Sequence, residues 1–378
     1  PPSSPGRAEI MIAESPPSYH PSFWVSADYL FGRINGPANN IPFLTTAPIG
    51  TPRERAGVRF DPNTYTLFGA NLSDQNGFNE DPRAGFRVMT GFAIASNLAL
   101  EAGFWMLESR STTYFAESDG STILARPFTN STNQAEQSLL VAYPGVSSGS
   151  IDLSISSSAF YSGHVHVSET FLDRGWVKVD SLLGYRYYRY DTGVLISQSI
   201  NPLEPEFVPG TKIETRDDIV ARNQFHGAEI GLRTRLEWDS LSLSLLAKVA
   251  GGNLRREVRI AGSQTVTVPG QNPTTSPAGF YALGSNSGVH VGNDFTAVPE
   301  FGATLAWRFS PNFNVRVGYT LTQLGQTTSA TRVIETVIDP GLLPPAEREA
   351  IRGDRPRVLL LKDDIWVQSL NLGAEFVW

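Results

Sequence analysis

Apolar and polar residues alternate along most of this chain. In 313–322, Phe313, Val315, Val317, Tyr319 and Leu321 fall on one face, and Asn314, Arg316, Gly318, Thr320 and Thr322 on the other. In 300–309, Phe301, Ala303, Leu305, Trp307 and Phe309 oppose Glu300, Gly302, Thr304 and Arg308. In 228–238, Ala228, Ile230, Leu232, Leu236 and Trp238 oppose Glu229, Gly231, Arg233, Arg235 and Glu237. A period of two marks strands with one apolar and one polar face. A one-residue slip would turn every charge to the wrong side, so each register is strongly specified. The pattern predicts ten strands, near 22–33, 83–94, 97–112, 151–171, 175–196, 221–238, 241–261, 295–309, 313–326 and 364–378. Helical periodicity is scarce; the best candidate is the short stretch 344–351, with proline near its start.

The connections carry as much information as the strands. Those near Ser96-Asn97, Asp173-Arg174-Gly175, Asp239-Ser240 and Ser310-Pro311-Asn312 are tight, while those at 34–82, 113–150, 197–220, 262–294 and 327–363 are long. Strict alternation of short and long links is the asymmetry of a transmembrane barrel, with short periplasmic turns and long outer loops. The reading is therefore all-β: a single antiparallel transmembrane barrel of about ten strands, with both termini periplasmic. Val58–Phe60 and Tyr65–Phe68 are also β-like; they either raise the count to twelve or fold inward as a plug. Trp24, Trp176, Trp238, Trp307, Phe309, Phe313 and Trp378 gather at the tight-turn end and suggest an aromatic girdle, although Trp24 and Trp176 sit on the polar parity. The chain stops on Trp378, and Asn371, Gly373, Phe376 and Trp378 resemble the C-terminal signal that outer-membrane barrels present to their assembly machinery.

Composition narrows the alternatives. With no cysteine among 378 residues, disulfides and thiolate metal sites are excluded. A net charge of −7 argues against a nucleic-acid partner. No apolar run approaches the roughly 20 residues of a membrane helix, but a barrel strand needs only about 9–11. Residues 1–21 are rich in Pro and Ser and read as a periplasmic leader; 22–378 read as the barrel. The chain opens on Pro1 with no signal-peptide pattern, which suggests a processed or trimmed chain.

Parity assigns a set of charges to the lumen: Asp28, Arg87, Glu101, Lys178, Asp180, Arg186, Glu229, Arg233, Arg235, Glu237, Lys248, Glu300, Arg308, Arg316 and Glu375. Seven acids meet eight bases. Ten strands enclose a narrow interior, where charges must pair or stay hydrated. Near balance suggests interlocking ion pairs that fill the barrel, because a selective pore would show an excess of one sign.

No chemistry of catalysis emerges. His164 and His166 share a face, but no third metal ligand is evident, so no metal and no cofactor is expected. Arg216-Asp217-Asp218 and Asp363-Asp364 lack the spacing of a calcium loop and read as solvated charge. No local motif picks out a nucleophile, so no enzyme is expected. Gly251-Gly252-Asn253 continues a strand and is no phosphate loop. Asn223 and Gln224 are expected at a turn or bulge, and Pro299 at a bulge beside Glu300.

Several blocks carry a family resemblance: Phe23–Leu30, Leu124–Phe128, Leu183–Tyr187, Arg222–Gly227, Ser285–Gly288 followed by Asp294–Glu300, and Trp366–Gly373. Together they resemble the putative beta-barrel porin family seven from about 22 to 378. The resemblance implies an outer-membrane barrel giving passive or gated passage to small solutes. The balanced lumen implies the alternative, a closed structural or assembly barrel whose loops and wall bind itself or other envelope proteins. Expected partners under either reading are outer-membrane lipid and, during biogenesis, the barrel assembly machinery.

Overall fold

The computed structural model describes residues 23–36, 39, 41–69, 82–343 and 353–378. The leader at 1–21 and the helix candidate at 344–351 lie outside the described residues. Ten strands form the frame: β1 (Phe23–Asn35), β2 (Arg83–Ala95), β3 (Leu98–Leu107), β4 (Phe160–Asp173), β5 (Val177–Pro202), β6 (Lys212–Trp238), β7 (Leu241–Thr267), β8 (Gly288–Ser310), β9 (Phe313–Thr327) and β10 (Asp363–Val377). Each pairs antiparallel with its neighbours in this order. The ring closes where β1 meets β10, from Trp24 opposite Val377 to Asn35 opposite Trp366. Closure removes every edge at the level of the ring, so no backbone group there lacks a partner for want of a neighbour.

Alternation sets the faces. Along β1, Ser26, Asp28, Leu30, Gly32 and Ile34 are buried, while Ala27, Tyr29, Phe31 and Arg33 are exposed. The four tight turns and both ends of the ring lie at one end, and Trp378 and Phe23 exchange backbone hydrogen bonds there. This is the turn end; the other is the loop end.

The loop end corrects several expectations. The barrel has ten strands, not twelve: Tyr65–Phe68 pairs with Leu44–Thr46 in a separate sheet, and Val58–Phe60 is not a strand. The continuous strands expected at 97–112 and 151–171 are each divided. Arg110–Ser118 and Ser147–Ser157 leave the barrel and pair with each other, and Ser147–Ser157 replaces β4 as the partner of upper β5. The link at 197–220 is mostly strand, because β5 and β6 stay paired from the turn end up to Ile200 opposite Ile213. Asn223 and Gln224 sit in unbroken register opposite Tyr190 and Arg189, with no bulge. Pro299 is likewise in register opposite Val249; it stands where the β8–β9 ladder ends, at Glu300 opposite Thr322, and a missing N–H costs least there.

Strands β5, β6 and β7 therefore rise past the ring as a half-shell. Their inward side is apolar (Val194, Ile196, Ile219, Val258, Ile260) and packs on a second sheet built from Leu44–Thr46, Tyr65–Phe68, Leu124–Asn130, Glu136–Ala142 and Val337–Ile338. Loops that sequence alone would leave open thus condense into a sandwich-like cap with its own apolar core.

Candidate functional site: the lumen and its cap

The lumen has three levels, fixed by position along the strands. Nearest the turn end is an open cup of about 1180 Å³, lined by Trp24, Arg87, Lys178, Arg235, Glu237, Arg308, Arg316 and Glu375 among others. Above it stands a buried ionic network. Glu101 takes Arg233 at 2.6 Å, and Asp180 takes Arg233 at 2.9 Å and Arg235 at 3.2 Å. Arg186 bridges Glu229 at 2.7 Å and Glu300 at 2.6 Å, and Lys248 stands 3.3 and 3.2 Å from the same two acids. Nearer the wall, Asp28 takes Arg87 at 2.8 Å and lies 4.0 Å from Arg316, which reaches Glu375 at 2.9 Å. Lys178 stands 3.6 Å from Glu237. Arg308 lies at the rim of the cup rather than in the network. Inward charges on separate strands are thus held as partners, which is what offsets their loss of water.

The third level escaped the sequence reading. Leu30, Trp105, Leu107, Phe160, Tyr188, Phe225, Leu254, Val298, Leu324 and Val367 form one buried apolar cluster across the barrel. Every strand but β2 contributes to it. On strands that carry a network charge the apolar residue lies farther from the turn end than that charge: Leu30 beyond Asp28, Trp105 beyond Glu101, Tyr188 beyond Arg186, Phe225 beyond Glu229, Val298 beyond Glu300. The layer is close-packed. A Cβ on Gly32 would stand 2.5 Å from Leu107 Cδ2, so that inward position on β1 is left empty for a side chain of β3. The signal for this layer was present as large apolar residues on lumen parity, but parity alone does not show that they meet at one height.

The histidines belong to the network. Their rings stack at 5.0 Å, and His166 Nε2 lies 3.1 Å from Glu101 Oε2. Among the described residues no group of three or more His, Cys, Asp or Glu side chains is arranged to hold a metal.

Above the apolar layer, two segments singled out by sequence meet. Arg126, from the second sheet, is fully buried between the rings of Phe280 and Tyr281, 4.3 and 4.6 Å from their centroids. It donates to Asp217 Oδ2 at 2.9 Å and to Gln198 Oε1 at 2.9 Å. Asp217 Oδ1 accepts the backbone N–H groups of Phe280, Tyr281 and Ala282 at 2.8, 2.9 and 3.0 Å. Asp217 was expected to be solvated and is instead the keystone of the cap: one carboxylate satisfies a buried cation and a turn of otherwise orphaned donors. Asp218 and Asp363 pair with Arg259 and Arg332, and Asp364 accepts the Gln326 N–H. Asn223 fastens the cap to the wall, donating to Tyr190 O and Thr328 O and accepting from Thr328 N.

The aromatic residues are placed unevenly. Trp307, Phe309, Phe313, Phe376, Trp378 and Phe23 form an unbroken chain of rings 4.9–6.2 Å apart around the turn end. Trp238 and Trp176 are exposed at the same end. Trp24 is not part of this girdle: its indole points into the cup, over the space a side chain at Gly91 would fill. Of the C-terminal residues, Phe376 and Trp378 face outward, whereas Asn371 is buried and donates to Thr320 Oγ1 at 3.0 Å. Gly373 also lies inward, its open side against Asp28.

No curated protein sequence matches the chain. Among solved structures it is similar to the outer membrane protease OmpT from Escherichia coli, at 10% identity and a TM-score of 0.43, covering 94% of this chain and 97% of that one. It is also similar to the translocator domain of the autotransporter NalP from Neisseria meningitidis, at 9% identity and a TM-score of 0.23, covering 96% and 90%. A FadL homologue from Pseudomonas aeruginosa matches at 10% identity and a TM-score of 0.24, covering 94% and 89%. These likenesses carry no functional argument. The sequence profile of the family described as Putative beta barrel porin-7 matches residues 24–378, nearly the whole chain, and the closed ten-stranded ring agrees with that description. The chain belongs to this porin-like family of outer-membrane β-barrels.

Proposed function

We propose that this protein is a sealed outer-membrane barrel that holds a folded cap at the cell surface, with its turns and both termini in the periplasm and no enzymatic role. The observation that carries the reading is the apolar layer contributed by nine of the ten wall strands. Its side chains are rooted in the wall, so no single loop can swing aside to open a path, and ions meet an apolar barrier above the charged network, interrupted on β2 by the buried Arg83, which donates to Ser157 Oγ at 2.6 Å. His164 and His166, the pair singled out by sequence, lie buried in the lumen away from the loop surface, which supports the non-catalytic reading.

A second reading, gated passage of small solutes, draws on the cup of about 1180 Å³, which is large enough to hold one. Conductance of the folded, heat-modifiable protein in a planar bilayer separates the two. The sealed barrel predicts a flat trace across salt concentrations and voltage. Steady steps that scale with salt would overturn it in favour of passage.

A further inference from the structure

The outward face of β5, β6 and β7 changes character at one height. From Trp238 upward it is apolar, with Leu232, Ile230 and Leu183 exposed. Tyr185, Tyr187 and His226 mark the upper edge, the ring of Tyr187 lying 5.0 Å from that of His226. Trp238 and His226 are twelve residues apart on one strand. At about 3.3 Å per residue and a tilt of about 40°, that spans roughly 30 Å, enough to cover the apolar band of a membrane barrel. The next outward positions therefore stand among the lipid headgroups.

Four of those positions are arginines. Arg189 and Arg255 flank Gln224 across the sheet, Arg222 lies between Asp191 and Glu257, and Arg259 follows on β7. Their side chains are 35, 49, 38 and 58% exposed for Arg189, Arg255, Arg222 and Arg259. Acid does not match them. Asp191 is shared by Arg189 at 2.6 Å and Arg222 at 3.2 Å, and Glu257 by Arg255 at 2.8 Å and Arg222 at 3.5 Å. Two carboxylates thus serve three guanidinium groups, and Arg259 reaches only Asp218 at 3.4 Å.

We propose that this arginine belt binds phosphate groups of lipid headgroups in the outer leaflet. A guanidinium presents a planar fork that holds phosphate bidentately. Four forks fixed on one rigid, registered sheet lose little freedom on binding. The carboxylates Asp191, Glu257 and Asp218 hold the four forks in a row and leave one net positive charge on the belt. The inference rests on the outer-membrane placement and is independent of whether the lumen passes solutes.

The test titrates the detergent-solubilised full chain with a bisphosphorylated glycolipid and with its dephosphorylated form, read by native mass spectrometry. The expected result is a preference for the phosphorylated lipid that weakens with salt. Replacing Arg189, Arg222, Arg255 and Arg259 together by Gln should reduce that preference at least tenfold, and replacement by Lys should retain part of it. Should the fourfold variant lose heat-modifiable mobility, Arg255→Gln/Arg259→Gln carries the test, since these are the most exposed forks. Equal binding of the two lipids, or an unchanged preference in the Gln variants, would overturn the proposal. Planar-bilayer conductance leaves this outcome untouched, so the two readings fail separately.

Discussion

Arg186→Met is the sharpest probe of the lumen. The guanidinium is buried and makes two short charge-assisted bonds, to Glu229 at 2.7 Å and Glu300 at 2.6 Å, and a third to Ser162 Oγ at 3.0 Å. Methionine fills much of the volume but removes the charge. It leaves two buried carboxylates to share Lys248, at 3.3 and 3.2 Å, with only His166 at 3.8 Å from Glu229 and the Thr322 hydroxyl at 3.4 Å from Glu300 beside them. Removing one partner of a buried ion pair costs about 3–5 kcal/mol, because the remaining charge has no water to return to. Arg186→Met/Glu229→Gln restores the count to one cation and one anion, Lys248 with Glu300. It should therefore recover most of the loss, leaving a deficit of about 1–2 kcal/mol for the missing hydrogen bonds. The assay is urea unfolding of vesicle-inserted protein, followed by tryptophan fluorescence and by heat-modifiable mobility. The reasoning fails if the single variant lies within about 0.5 kcal/mol of the parent, or if the double variant is less stable than the single one.

Two further outcomes concern the cap. Asp217→Ala strands the Arg126 cation and three backbone donors, at a cost of about 3–5 kcal/mol. Limited trypsin digestion should then cut the loop end rapidly while the ring keeps its heat-modifiable mobility; unchanged digestion would refute the keystone role. The Tyr281 phenol is pushed up to about 12, by burial first, with the Asp217 carboxylate adding and the Arg126 cation opposing. An unfolded phenol ionises near pH 10, at about 10. The folded cap thus keeps its full stability below that pH and loses it as pH rises toward the folded value. Near-ultraviolet circular dichroism should show alkaline opening in that window, and Tyr281→Phe should move it to higher pH; no movement would remove Tyr281 as its cause.

The sequence by itself determined the strands, their faces and the order of tight and long links, because a period of two is a local property and each charge has only two sides to choose from. Asp28, Glu229 and Arg316 could be placed inward from their neighbours alone. Partners could not. That Arg186 meets Glu300, which lies 114 positions away, depends on the stagger of four strands, β5 to β8, and parity is silent on height. The same limit hid the apolar layer: Leu30, Phe225 and Leu324 each look like a lapse in a polar face until the ring brings them level. It also hid the cap. Arg126 and Asp217 read as loop charges because nothing local marks a segment whose apolar face is covered by residues a hundred positions distant. Tertiary structure decided these points for one reason: the free energy of a buried charge or a packed side chain is set by what closes over it, and in a barrel that is chosen by register and closure rather than by the neighbours in the chain.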